Sequence, residues 1–233
     1  MPWTRLLVGV LAAILAFAAF QALNRPEPDA DTARLEAMFE GLPADVRDEI
    51  AGDLETLVGD RFDGLTSEEV VEEGARLTRS GLARLDDESL VRRLELQTLA
   101  LGRVPTADCA AFMRGGFAGG SVDTGIATRV LTALDEDELI EWYRITARAM
   151  RAELEGMPAR RSVTEPEFQA AFAPIAATWS PDEVELVELV SADPVGVTDD
   201  QMCRFVDLVY GRIDVLDRDQ LAVVSLYDIN PTP

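Results

Sequence analysis

Leu65-Thr66-Ser67-Glu68-Glu69-Val70 carries the pattern that decides the fold: an apolar residue, a small oxygen-bearing residue, two variable positions, an acid, and a second apolar residue. The Thr66 hydroxyl can accept from an orphan N–H in a first helical turn, and Glu69 can reach back to the Thr66 N–H. Leu65 and Val70 can then close over the turn as a hydrophobic staple.

The same grammar recurs along the chain, with an acid, an amide or Ser at the fifth position. It returns at Leu85-Asp86-Asp87-Glu88-Ser89-Leu90, Leu134-Asp135-Glu136-Asp137-Glu138-Leu139 and Val163-Thr164-Glu165-Pro166-Glu167-Phe168. Trp179-Ser180-Pro181-Asp182-Glu183-Val184, Val197-Thr198-Asp199-Asp200-Gln201-Met202 and Leu216-Asp217-Arg218-Asp219-Gln220-Leu221 complete the series. Pro181 falls at a first helical position, where its missing N–H costs no bond. Acids crowding these turns suit the positive end of a helix dipole.

Between the caps the apolar period is helical. Leu90, Leu94 and Leu101 lie near one face, as do Leu139, Tyr143 and Met150, or Val206, Val209 and Ile213. Pro43 is expected to open a helix through Val46, Ile50, Leu54 and Leu57, ending near Gly59. Leu221 to Leu226 is the best strand candidate, but it follows a cap and is assigned to helix. The expectation is an all-α domain of about nine helices, a multi-helix bundle or stacked helical hairpins, behind an N-terminal membrane-targeting helix.

Helix starts at Thr66, Asp86 and Thr106 are 20 residues apart, without tetratricopeptide or ankyrin signature residues. An internal echo at offset 94 brings Leu85 onto Trp179 and Cys109 onto Cys203, as an old duplication or chance would.

The organisation expected is residues 1–24 as transmembrane anchor or signal peptide, 25–31 as linker, and 32–233 as an exported, acidic helical domain. Leu6 to Leu23 is an uncharged run of 18 residues, at the lower bound for spanning a bilayer. Arg5 precedes it; Arg25 and then Glu27, Asp29 and Asp31 follow, which directs the C-terminal part out of the cytoplasm. A retained single-pass anchor is the preferred reading. A signal cleaved after Ala16-Phe17-Ala18, leaving a periplasmic or secreted domain, is the alternative. Pro26 and Pro28 make the linker stiff and non-helical.

Charge removes whole classes of function. The chain has 21 basic and 43 acidic residues and a net charge of −22. Residues 1–25 contain no acid, so the negative charge belongs entirely to the remainder. Such a surface repels phosphate backbones, so no nucleic acid is expected, and membrane contact is assigned to the N-terminal segment only. Every basic residue is Arg, and there is no His. A GC-rich genome or a saline habitat accounts equally for that composition. Catalysis by Ser-His-Asp or Cys-His, His-ligated zinc, Schiff-base lysine and phosphate-loop lysine are all excluded. No cofactor is expected, and two cysteines alone build neither a zinc nor an iron–sulfur site.

Four groups of residues are candidates for a role. Cys109 and Cys203, in an exported domain, are expected to form a disulfide, with buried free thiols as the alternative. Arg114, Gly115, Gly116, Phe117, Gly119 and Gly120 form a glycine-rich stretch, read as a flexible connector and a possible contact loop. Its other reading is an anion cradle assisted by Arg114, although its spacing fits neither nucleotide fingerprint. Acid clusters at Asp86-Asp87-Glu88 and Asp135-Glu136-Asp137-Glu138 are assigned to capping rather than calcium or acid–base work. Asp60-Arg61-Phe62-Asp63-Gly64 comes nearest to a calcium loop but has Arg61 where a ligand is required. Trp142, Tyr143 and Trp179 would be a sugar-stacking platform in a glycan-cleaving enzyme, yet Trp179 holds a staple position. The adjacent Trp142 and Tyr143 point about 100° apart on a helix, so at least one of those two is assigned to the core.

The functional expectation is a membrane-tethered helical protein working by contact with another envelope protein, as scaffold, adaptor or assembly factor. A carboxylate-dependent envelope hydrolase or lyase is the second expectation. It requires two acids converging in an aromatic-lined cleft, at least one with a raised pKa.

Overall fold

The structure is a computed structural model describing residues 43, 46, 65–117 and 124–229. The expected anchor, its cleavage site and the linker lie outside the described residues, as does Asp60-Arg61-Phe62-Asp63-Gly64. No helix among the described residues is long and apolar enough to cross a membrane.

Residues 65–117 and 124–229 form nine α-helices and one short 3₁₀ turn, and the fold of the described residues is all-α. In chain order they are α1 (Ser67–Leu82), α2 (Asp87–Arg103), α3 (Thr106–Phe117), α4 (Thr124–Leu131) and α5 (Glu136–Leu154). After these come α6 (Glu165–Ala176), α7 (Pro181–Ala192), α8 (Asp199–Val209) and α9 (Arg218–Ile229), with the 3₁₀ turn Ile213–Val215 before α9. Leu221 to Leu226 is helical. Val46 is helical and buried in the core, while Pro43 stands outside any helix; the rest of the helix expected there is outside the described residues.

All seven sequence-predicted caps form. Thr66, Asp135, Thr164, Ser180 and Thr198 each make the reciprocal pair with the residue three positions on. At α1 the Thr66 N–H donates to Glu69 Oε2 at 2.7 Å. At α9 the Asp217 N–H donates to Gln220 Oε1 at 3.0 Å, and the Gln220 N–H to Asp217 Oδ1 at 2.9 Å. Asp86 accepts from the Ser89 N–H at 2.7 Å without a return bond, because Ser89 cannot reach back as Glu or Gln does. The helix start expected at Thr106 is also present: Thr106 is the first helical residue of α3, and Pro105 supplies the carbonyl that accepts from Asp108 and Cys109.

The main helix pairings are long-range: α1 with α5, α3 with α8, and α2 with α9. That makes the domain an interleaved bundle rather than a stack of sequential hairpins. α2 runs through its middle, burying Ser89, Leu90, Val91, Arg93, Leu94, Leu96, Gln97, Ala100 and Leu101. α1 and α5 cross at Gly81, where a Cβ would stand 1.7 Å from the Ala149 carbonyl oxygen; only glycine permits that approach. α6 meets α9 through an aromatic stack in which Phe168 lies 4.2 Å from the Tyr227 ring and 5.3 Å from Phe172.

α5 ends at Gly156, whose φ of 68° suits a residue without a Cβ. The Gly156 N–H donates to Glu153 O and the Met157 N–H to Ala152 O, closing the last turn. The chain then returns across the α1–α2 corner. There the Arg160 N–H donates to Ala83 O at 2.8 Å, and the Arg160 guanidinium binds Asp87.

Candidate functional site

Two of the features singled out from sequence meet at one junction, between α3 and α8. Cys109 is the fourth residue of α3 and Cys203 the fifth of α8, so neither disturbs its helix start. They form a disulfide with Cα atoms 5.8 Å apart, within the ordinary range for such bonds. Cys109 is fully buried, whereas Cys203 is only partly so.

Five residues beyond Cys109, Arg114 completes the same junction. Its Nη1 donates to Asp199 Oδ1 at 2.6 Å and its Nη2 to the Val197 carbonyl at 2.7 Å. The guanidinium thus fastens α3 to the segment that starts α8. This corrects the reading of Arg114 as an anion-cradle residue, since its two forks are committed to protein oxygens. It also corrects the connector reading for the first half of the glycine-rich stretch. Arg114, Gly115, Gly116 and Phe117 are the last turn of α3, while Gly119 and Gly120 lie outside the described residues.

Each helical Gly costs about 1 kcal/mol relative to Ala, a penalty that tertiary contacts can override. Here α3 is held from α4 and α8, by one covalent bond and by two hydrogen bonds from Arg114.

The aromatic candidates do not converge on a platform. Trp142 and Tyr143 are both buried, and burial pushes the Tyr143 phenol up to about 12. The Arg93 guanidinium, also buried, lies 3.9 Å over the Trp142 ring, and its Nη1 donates to Thr146 Oγ1 at 3.2 Å. Stacking a delocalised cation on an indole face partly replaces the water it lost. Trp179 sits elsewhere, edge-on to Phe172 at 5.7 Å, with its indole N–H donating to Leu208 O.

The acid clusters serve as caps and as bridges. Asp86 and Asp135 accept first-turn N–H groups, and Asp87 binds Arg160. Glu138 joins cap and bridge, because it reaches back to the Asp135 N–H and also binds Arg103. Arg103 is the first cause holding Glu138 below the usual carboxylate range, followed by the Asp135 N–H. At Glu183 the order reverses: the Ser180 N–H leads and Arg212 follows. Glu69, Asp86 and Glu167 are lowered first by the backbone N–H groups at their caps, and Asp108 by Arg129. One acid is arranged otherwise: the Tyr227 hydroxyl donates to Glu165. Among the described residues no group of three or more Cys, Asp or Glu is placed to hold a metal ion.

No known protein family, curated protein or solved structure matches this chain.

Sequence reasoning missed the Arg93–Trp142 stack. Its only signal was an Arg on the apolar side of a helix, which resembles a snorkelling surface residue until the neighbouring helix is known.

Proposed function

We propose that this chain is a membrane-tethered helical domain outside the cytoplasm that works by protein contact, as a scaffold, adaptor or assembly factor. The partner is another envelope protein. The observation that carries the reading is the outer side of α7. That helix packs on α8 and buries Leu186, Val187 and Val190. Val184 and Leu189 stay exposed at 39% and 44%, and Val195 just beyond is 69% exposed. α7 contains no basic residue, and Asp182, Glu185 and Glu188 are exposed along it. A surface with apolar side chains among carboxylates suits a partner segment with complementary apolar and basic groups.

The second reading, a carboxylate-dependent hydrolase or lyase, draws less support. It needs a carboxyl group held protonated near neutral pH, whereas the shifted carboxylates named above are all lowered by caps and arginines.

Site-specific photocrosslinking in cells tests the choice. With the photoreactive residue at Leu189 or Val195, the same envelope protein should be captured from both positions. None should be captured from Arg161, on the exposed segment before α6. No reproducible protein adduct, together with degraded glycan on incubation with the purified chain, would reverse the ranking.

A further inference from the structure

The disulfide is asymmetric in its access to solvent. Cys109 has no exposed surface, and the α3 residues Ala110, Phe112 and Met113 beside it are equally buried. Cys203 is partly exposed on α8, between Met202, which is buried, and Arg204, which is exposed. A thiolate attacks a disulfide along the S–S axis, from the side opposite the leaving sulfur. Of the two bonded residues only Cys203 has any exposed surface, so an attacker arriving from solvent approaches the bond at its Cys203 end. Attack on Cys109 would have to come from within the core beneath α3.

Charge adds a second selection. Asp199 and Asp200 lie one turn before Cys203 and Asp207 one turn after it, all exposed. Arg114 offsets Asp199, and the exposed Arg204 offsets one more acid. The remaining local charge is negative, on a chain of net charge −22.

We infer that thiol–disulfide exchange reaches this domain through the Cys203 sulfur alone, and that the acidic surround favours a neutral or cationic attacking thiol over an anionic one. In reduction, the incoming thiolate forms a bond to Cys203 Sγ as the Cys109–Cys203 bond breaks. The electron pair leaves on Cys109 Sγ, which then takes a proton. A second thiolate releases Cys203 from the mixed disulfide. Bond formation runs the same path backwards: an oxidoreductase or small disulfide first joins Cys203, and the Cys109 thiolate then attacks Cys203 Sγ and expels it. The Cys109 thiol acts only as the resolving sulfur, from inside the bundle.

The test uses the native oxidised full chain and two small thiols, cationic 2-aminoethanethiol and anionic 2-mercaptoethanesulfonate. After partial reaction the mixture is acid-quenched, alkylated under denaturing conditions and mapped by mass spectrometry. The mixed disulfide is expected on Cys203, with the alkyl group on Cys109. At low ionic strength the cationic thiol should react at least about threefold faster per thiolate, and the gap should close in about 0.5 M salt. In single variants, Cys203 of Cys109→Ala should label in the native state. Cys109 of Cys203→Ala should label only after denaturation. Adducts on Cys109, no adduct on either sulfur of the native chain, or equal rates for the two thiols at low salt would overturn the inference.

Discussion

At the residue scale, glycines with opposite surroundings give opposite expectations. At Gly81 an added methyl would collide with the Ala149 backbone, so α1 and α5 must separate. Gly81→Ala is expected to cost about 3 kcal/mol, the upper part of the overpacking range, read as a lower urea midpoint. At Gly102, in the last turn of α2, nothing lies within 4 Å of the Cβ position. Gly102→Ala should therefore stabilise by about 0.5–1 kcal/mol in the same measurement, through helix propensity and a less flexible unfolded chain. Neither outcome was legible in the sequence, because a helical pattern does not say which glycine faces another backbone. The Cys109–Cys203 pairing was legible, since two cysteines in a domain expected to be exported leave only one intramolecular partner each. The role of Arg114 was not, because its acceptors Asp199 and Val197 lie more than eighty residues away in sequence.

At the element scale, caps are the part of this fold that local sequence determines. The donor, the acceptor and the staple all lie within six residues, so reading them needed no knowledge of tertiary contacts. Thr164→Ala removes the side-chain acceptor at the start of α6 and should cost about 1 kcal/mol by chemical denaturation. Acid titration gives a collective test. Glu69, Asp86, Asp108, Glu138, Glu167 and Glu183 all have folded pKa values below their ordinary 4.5 or 3.8. A depressed carboxylate contributes stability that is complete above its unfolded pKa and is lost as pH falls through the folded one. The denaturation midpoint should therefore stay level down to about pH 5 and fall steadily below pH 4, where unfolded carboxylates take up protons first. The titration belongs in high salt, so that relief of net negative charge does not mask the fall. A midpoint unchanged between pH 5 and pH 3 would show that the caps do not carry this stability.

The offset-94 echo also belongs at this scale. Leu82 maps onto Ala176 as a helix end, Asp86 onto Ser180 as a cap, and Thr124 onto Arg218 as a first helical residue. The series α1–α4 thus corresponds in spacing to α6–α9, with 16 residues in α1 against 12 in α6. Packing does not repeat. The main partner of α1 is α5, whereas that of α6 is α9. Helix order was readable from caps, but partner choice depends on which apolar faces fit, and periodicity alone leaves that open.

At the scale of the whole molecule, the disulfide joins residues 94 apart and ties the first half of the domain to the second. On the chain-entropy account, closing a loop of this length restricts the unfolded chain and so favours folding by about 4–5 kcal/mol. The Cys109→Ala, Cys203→Ala double variant should lose roughly that much in urea denaturation, with little change in helical content. The bond also links architecture to location, since such bonds persist where the surroundings are oxidising. Its state in cells is therefore the most direct test of a disulfide-closed helical domain working outside the cytoplasm. Cells producing the full chain are acid-quenched, denatured and treated with a mass-adding maleimide, with and without prior reductant. The account predicts no added mass without reductant and two tags after reduction. Two tags on protein that has never met reductant would contradict it.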